Sequence, residues 1–156
     1  MAGGAKSGGP STVMALARVA VGVMFIMFAQ YKLLHKDFAR EGYSKYVSGY
    51  VQESSVGFYK PILRETLKFP RVSAYLVAVA ELLIGISMVL GFWVRPFSVI
   101  GALFMLNLTL ATWVLPPGTP AWRYLGNQLD NIPLLLLFLI FYSHGAGQTL
   151  GLDKAK

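Results

Sequence analysis

Four stretches of this chain are dense in apolar residues: 13–34, 72–93, 96–115 and 131–144. The first three approach the ~20 residues that a helix needs to cross a ~30 Å hydrocarbon layer. The fourth is built on IPLLLLFLIFY and is shorter. Its three long neighbours favour a membrane span over a buried soluble helix. Breaks between the stretches are well marked. Arg95-Pro96 divides the second from the third, with Pro96 suited to a first helical turn. Pro116-Pro117-Gly118 with Pro120 forces a turn after the third, and Gly145-Ala146-Gly147 loosens the chain after the fourth. Pro133 falls near the start of the fourth, where its missing N–H does little harm. The pattern predicts an all-α integral membrane four-helix bundle over 13–147, a flexible N-terminal tail over 1–12 and a C-terminal tail over 148–156.

The connection 35–71 is long but not of low complexity. It mixes Phe38, Tyr43, Tyr46, Tyr50, Phe58, Tyr59 and Phe69 with Lys and Arg. That composition suits one or two helices lying in the membrane interface, with aromatics toward the headgroups and cations outward. A docking surface for another protein is the second reading, and Tyr46, Tyr50, Phe58 and Tyr59 are its candidate contacts with lipid or partner.

Composition sharpens this picture. Hydrophobic residues make up 55% of the chain and charged residues 13%; a soluble domain carries about twice that charge. Lipid must therefore solvate much of the surface, which excludes a self-contained soluble enzyme. The net charge of +7, from 14 basic and 7 acidic residues, fits cations flanking spans and facing anionic headgroups. No basic motif with interleaved stacking residues points to nucleic acid. With no cysteine, the chain can hold no Fe–S cluster or Cys-ligated metal of its own. The first apolar run is too long for a signal-peptide core and reads as a retained span. A count of cations sets the long connection on the cytoplasmic side, and the prokaryotic inner membrane is the expected location.

Polar residues inside spans are costly and are functional suspects by default. Arg18, Gly22, Phe25, Ala29 and Lys32 form one stripe on the first helix, and Ala74, Ala78, Glu81, Gly85 and Met88 a similar one on the second. At ~1.5 Å per residue, Glu81 and Asn107 lie at similar depth, roughly 16–18 Å from the Arg95 side, and Arg18 about 8 Å in from that side. Arg18 then points inward toward Glu81 or snorkels outward. Glu81 has two readings. In one it pairs with Arg18 or bonds Asn107 and fixes helix register. In the other it titrates, passes a proton or receives a hydrogen bond from a quinone. Arg18, Glu81, Asn107 and Lys32 are thus the candidate pocket residues. No catalytic role is assigned, although Glu81 is the one candidate. His35 and His144 end different helices on opposite sides, so they cannot share a metal; each alone is at most a single ligand to a haem or pigment, or a plain interfacial residue. No phosphate loop, dinucleotide fingerprint or catalytic triad is present.

Taken together, Arg18, Gly22 and Lys32-Leu33, then Glu81-Leu82-Leu83-Ile84-Gly85 with Leu90-Gly91, then Gly145-Ala146-Gly147 and Gly151-Leu152-Asp153 resemble the DoxX family of small membrane proteins. The chain departs from that pattern where Ala29-Gln30-Tyr31 precede Lys32 and a Gly is common. The resemblance implies a four-helix bundle and a link to membrane redox assemblies. It is similar to the DoxD-type small subunit of thiosulfate:quinone oxidoreductase, and other relatives resemble anchors within oxidative-stress or thiol-handling complexes. Two functions follow as expectations. One is a non-catalytic accessory subunit of a respiratory or photosynthetic electron-transfer complex, contacting lipids and other membrane subunits. The other is a quinone-linked oxidoreductase subunit, with quinone, lipid or pigment between its helices.

Overall fold

The computed structural model describes residues 12–153; the tail over 1–11 and residues 154–156 lie outside them. Helix α1, Thr12–Leu34, runs the full length of the first apolar stretch. A π-helical turn, Phe38–Gly42, leads into α2, Tyr43–Glu53, and a short turn leads into α3, Lys60–Thr66. Helix α4, Pro70–Leu90, opens on a proline, whose fixed φ suits a first turn. It stops where Gly91 takes a left-handed conformation (φ +64°) and donates its N–H to the Ser87 carbonyl. Phe92 and Trp93 therefore belong to a turn, not to the helix expected to reach 93. Helix α5, Val94–Ala111, starts earlier than Pro96 because the turn before it is tight. It ends at Ala111, short of the expected 115, where the chain unwinds ahead of Pro116-Pro117. The short α6, Ala121–Gly126, precedes α7, Asn131–His144, which Gly145 (φ +58°) terminates.

Small residues decide how the long helices pair. A Cβ on Gly22 would come within 2.8 Å of the Val89 nitrogen, and one on Gly85 within 2.9 Å of the Gly22 carbonyl. At those two glycines the backbones of α1 and α4 touch, as the small-residue stripes led one to expect. Helix α5 packs along α7, where Gly101 makes room for the ring of Phe138. Phe25 from α1 meets Phe138 edge-on at 5.4 Å and joins the pairs into one core with Ile84, Met88, Met105 and Phe141.

Helices α1, α4 and α5 are long and apolar enough to cross a membrane. Only 33–39% of each span is buried by protein. Leu16, Leu76 and Leu103 stand more than half exposed along them, so lipid is the solvent for that surface. Helix α7 has 14 residues, about 21 Å at ~1.5 Å per residue.

The connection 35–71 packs against the bundle. Ala39, Tyr43, Val47 and Leu63 are buried in a second core with Ala74 of α4 and Ala111 of α5. The amphipathic segment turns its apolar side inward because the bundle is open there, leaving Tyr46 and Phe58 exposed.

Candidate functional site

Glu81 stands halfway along α4 and is 4% exposed. Its partner is Lys32, with Nζ 2.5 Å from Oε1. The expected pairing with Arg18 does not form, and helix geometry gives the reason. Side chains on a helix lean toward its N-terminus. Because α1 and α4 run antiparallel, Lys32 leans back into the membrane while Glu81 leans toward the connection, and the two meet. Arg18 sits fourteen positions before Lys32, about 21 Å lower on α1, and leans away from Glu81.

Arg18 does not snorkel either. It is fully buried and clasps the far end of the bundle. Its Nη1 donates to the Met88 carbonyl at 2.6 Å, and its Nη2 to the Leu150 carbonyl at 2.8 Å. Asp153 supplies a counter-charge and receives the backbone N–H groups of Trp93 at 2.7 Å and Val94 at 3.0 Å, which makes it the acceptor for the start of α5. The expected tail 148–156 is thus, as far as Asp153, a strap tied across the α4–α5 turn. Trp93 and Leu150 both adopt positive φ to form it.

Two chambers adjoin the Lys32–Glu81 pair. The first, of about 330 Å³, lies beneath the folded-back connection and is lined by Tyr31, Phe38, Tyr43, Tyr50, Phe104 and Asn107 among others. The second, of about 710 Å³, is lined by Phe25, Phe28, Glu81, Met105, Asn131 and Leu134 among others. Lys32, Tyr50, Phe104 and Leu108 belong to both walls. Both volumes fall within the ~300–1,000 Å³ common for small-molecule sites. Lys32 Nζ also lies 5.5 Å from the centre of the Phe38 ring, a cation–π distance, in the π-helical turn that follows α1.

Asn107 stands in the first chamber, where its Oδ1 accepts a hydrogen bond from the Tyr59 hydroxyl. Burial pushes the phenols of Tyr59 and Tyr50 above their ordinary range, reinforced by Tyr43 and Tyr46 respectively, so Tyr59 remains a donor. Tyr50 faces both chambers, Tyr46 lines the first at its rim, and Phe58 projects outward, 74% exposed. The histidines stand apart. His35 stacks on Tyr31 and bonds its carbonyl through Nδ1, while His144 Nδ1 bonds the Ile140 carbonyl. Among the described residues no cluster of His, Asp and Glu could hold a metal ion.

Sequence reasoning passed over Phe104 and Leu108, although with Asn107 and Ala111 they follow helical spacing on one face of α5. It also passed over Gln128, fully buried, which with Asn131 ties the end of α5 at Thr112 to the start of α7.

The DoxX family model matches residues 13–114, from the start of α1 through α5. The chain belongs to the DoxX family. No curated protein and no solved structure matches it. As a DoxX protein with three apolar helices of spanning length, it is an integral membrane protein in contact with lipid. The match takes in the Lys32–Glu81 pair and both stretches of the α1–α4 contact. The Arg18 strap and α7 lie beyond its C-terminal limit.

Proposed function

We propose that this DoxX protein is a membrane subunit of a quinone-linked electron-transfer assembly, to which it contributes a quinone-binding chamber and no redox centre of its own. One observation carries the reading: an ammonium–carboxylate pair with its carboxylate buried adjoins two largely apolar chambers, Lys32 lining both and Glu81 the larger. An apolar cavity with few convergent polar groups suits a lipid-phase ring bearing carbonyl or hydroxyl groups. Lys32 can donate to a ring carbonyl and Glu81 can accept from a ring hydroxyl. With no cysteine, the chain has no thiol or Cys-ligated redox centre, and in this reading partner subunits supply and take up the electrons.

In this reading α7 is a fourth crossing that completes a four-helix bundle, its short length offset by tilt and by local thinning of the bilayer. The assembly sits in a prokaryotic inner membrane. The DoxD-type small subunit of thiosulfate:quinone oxidoreductase, which the family resembles, is an analogy for this role. The exposed Tyr46 and Phe58 on the connection are the surface for the partner subunits.

Gentle detergent extraction, native-size separation and mass spectrometry test the proposal. The expected result is a band far larger than this chain, containing cofactor-bearing subunits and an extractable quinone. A small band free of quinone contradicts it. Replacing Tyr46 and Phe58 with Ser should release the chain from that band, and an intact complex would count against the docking surface.

A further inference from the structure

The Lys32–Glu81 pair leaves a hydrogen-bonding vacancy of one kind. Lys32 occupies Oε1 of Glu81, whereas Oε2 is buried and meets no donor. A buried acceptor without a donor is unfavourable, and none of the described residues supplies one. The larger chamber is lined mainly by Met24, Phe25, Phe28, Met105 and Leu134, which carry no side-chain N–H or O–H; Lys32 and Tyr50 also line it, but Lys32 is bound to Oε1 and neither donates to Oε2. Asp130 and Asn131 also line the chamber, but the Asn131 amide is already committed to Thr112 and Gln128. A carboxylate turns easily about its last torsion, which lets Oε2 face the chamber while Lys32 keeps its hold.

Resting on the reading above, we propose that the larger chamber selects the reduced, hydroxyl-bearing form of the quinone. One ring O–H donates to Oε2 of Glu81, while the ring packs among Phe25, Phe28 and Phe104. The oxidised form carries only carbonyl acceptors. Set against the same oxygen, it leaves Oε2 unsatisfied and brings two electron-rich oxygens together. Sites built to bond a hydroxyl reject analogues that lack it far more strongly than apolar pockets reject a change of size. The chamber therefore holds quinol in preference to quinone, and the subunit serves the side of the reaction on which quinol is present.

The test uses the full chain in lipid nanodiscs and three ligands of one shape: decylubiquinol, decylubiquinone and the dimethyl ether of decylubiquinol. The ether keeps the ring and its substituents but has no O–H. Binding is read by quenching of intrinsic tryptophan fluorescence and by equilibrium dialysis. The quinol should bind about tenfold or more tightly than either of the others, a factor equal to about 1.4 kcal/mol. In Glu81→Gln the amide offers a donor where the carboxylate had none, so the preference should shrink or reverse toward the quinone. Equal binding of all three ligands to the unaltered chain overturns the selectivity and leaves the quinone-binding proposal standing. Binding of none overturns both. If Glu81→Gln does not fold, the comparison of three ligands on the unaltered chain still decides.

Discussion

Removing the charge of Lys32 is the most informative single perturbation. Lys32→Met keeps the length and apolar stem of the side chain but strands the Glu81 carboxylate, whose side chain is 5% exposed. Breaking a buried ion pair by deleting one partner costs about 3–5 kcal/mol, because the remaining charge is left in a medium that solvates it poorly. The Lys32 side chain is 21% exposed, which sets the expected loss at the low end, about 3 kcal/mol. For a chain of this size that lowers the melting temperature by about 6–12 °C. The double change Lys32→Met with Glu81→Met removes both charges and fills similar volume, so it should fall within about 1 kcal/mol of the parent or exceed it. The coupling between the two sites is then at least about 2 kcal/mol. Thermal unfolding in one fixed detergent, followed by circular dichroism, measures all four corners of the cycle. The reasoning is refuted if Lys32→Met costs under about 1 kcal/mol, or if the double change is as damaging as the single one.

Other expectations follow from the same structure. Gly22→Val drives a side chain into the backbone of α4 at Val89 and Gly85; it should cost about 2–3 kcal/mol, read as a loss of monodisperse protein on size exclusion. Asp153→Ala removes the acceptor for the Trp93 and Val94 N–H groups and should cost about 1–2 kcal/mol, with faster hydrogen exchange confined to the first turn of α5. Tyr59→Phe leaves Asn107 Oδ1 without its donor and should cost about 1 kcal/mol, while Tyr59→Ser should also loosen the connection, seen as new proteolytic cleavage within 35–71. Tyr50 and Tyr59 are held neutral by burial, with folded values above the ordinary phenol value of 10.0. Their contribution to stability is whole below that value and lost as pH climbs through the folded values, so stability should fall above about pH 10 and recover in the Tyr50→Phe, Tyr59→Phe pair.

Much of the architecture is legible in the residues. Apolar runs of spanning length, Pro and Gly breaks and the small-residue stripes of Gly22 and Gly85 led to helical spans and to the α1–α4 contact. The helix ends near 93 and 115 were misplaced because hydropathy continues through Phe92, Trp93 and Leu115, while the backbone is stopped by Gly91 and by the prolines. The site was half legible. Lys32, Glu81 and Asn107 stood out as polar groups in apolar surroundings, but depth arithmetic set Glu81 level with Asn107, and only the reach of a long side chain linked it to Arg18. The lean of helical side chains, which costs nothing to apply, links it to Lys32 instead. The inward fold of the 35–71 connection was not legible. Aromatic and basic residues at helical spacing look the same whether lipid or protein covers the apolar side. The strap around Arg18 depends on backbone carbonyls of Met88 and Leu150, which no side-chain pattern reveals.

The most direct test of the central claim is photo-labelling of the nanodisc-embedded chain with an azido-quinone, followed by mass mapping of the adducts. Labels on residues that line the chambers, such as Phe104, Leu108 and Leu134, competed away by excess unlabelled quinol, are the expected result. Labels spread over lipid-facing residues such as Leu76 and Leu103, and unaffected by competitor, would contradict a quinone site beside Lys32 and Glu81.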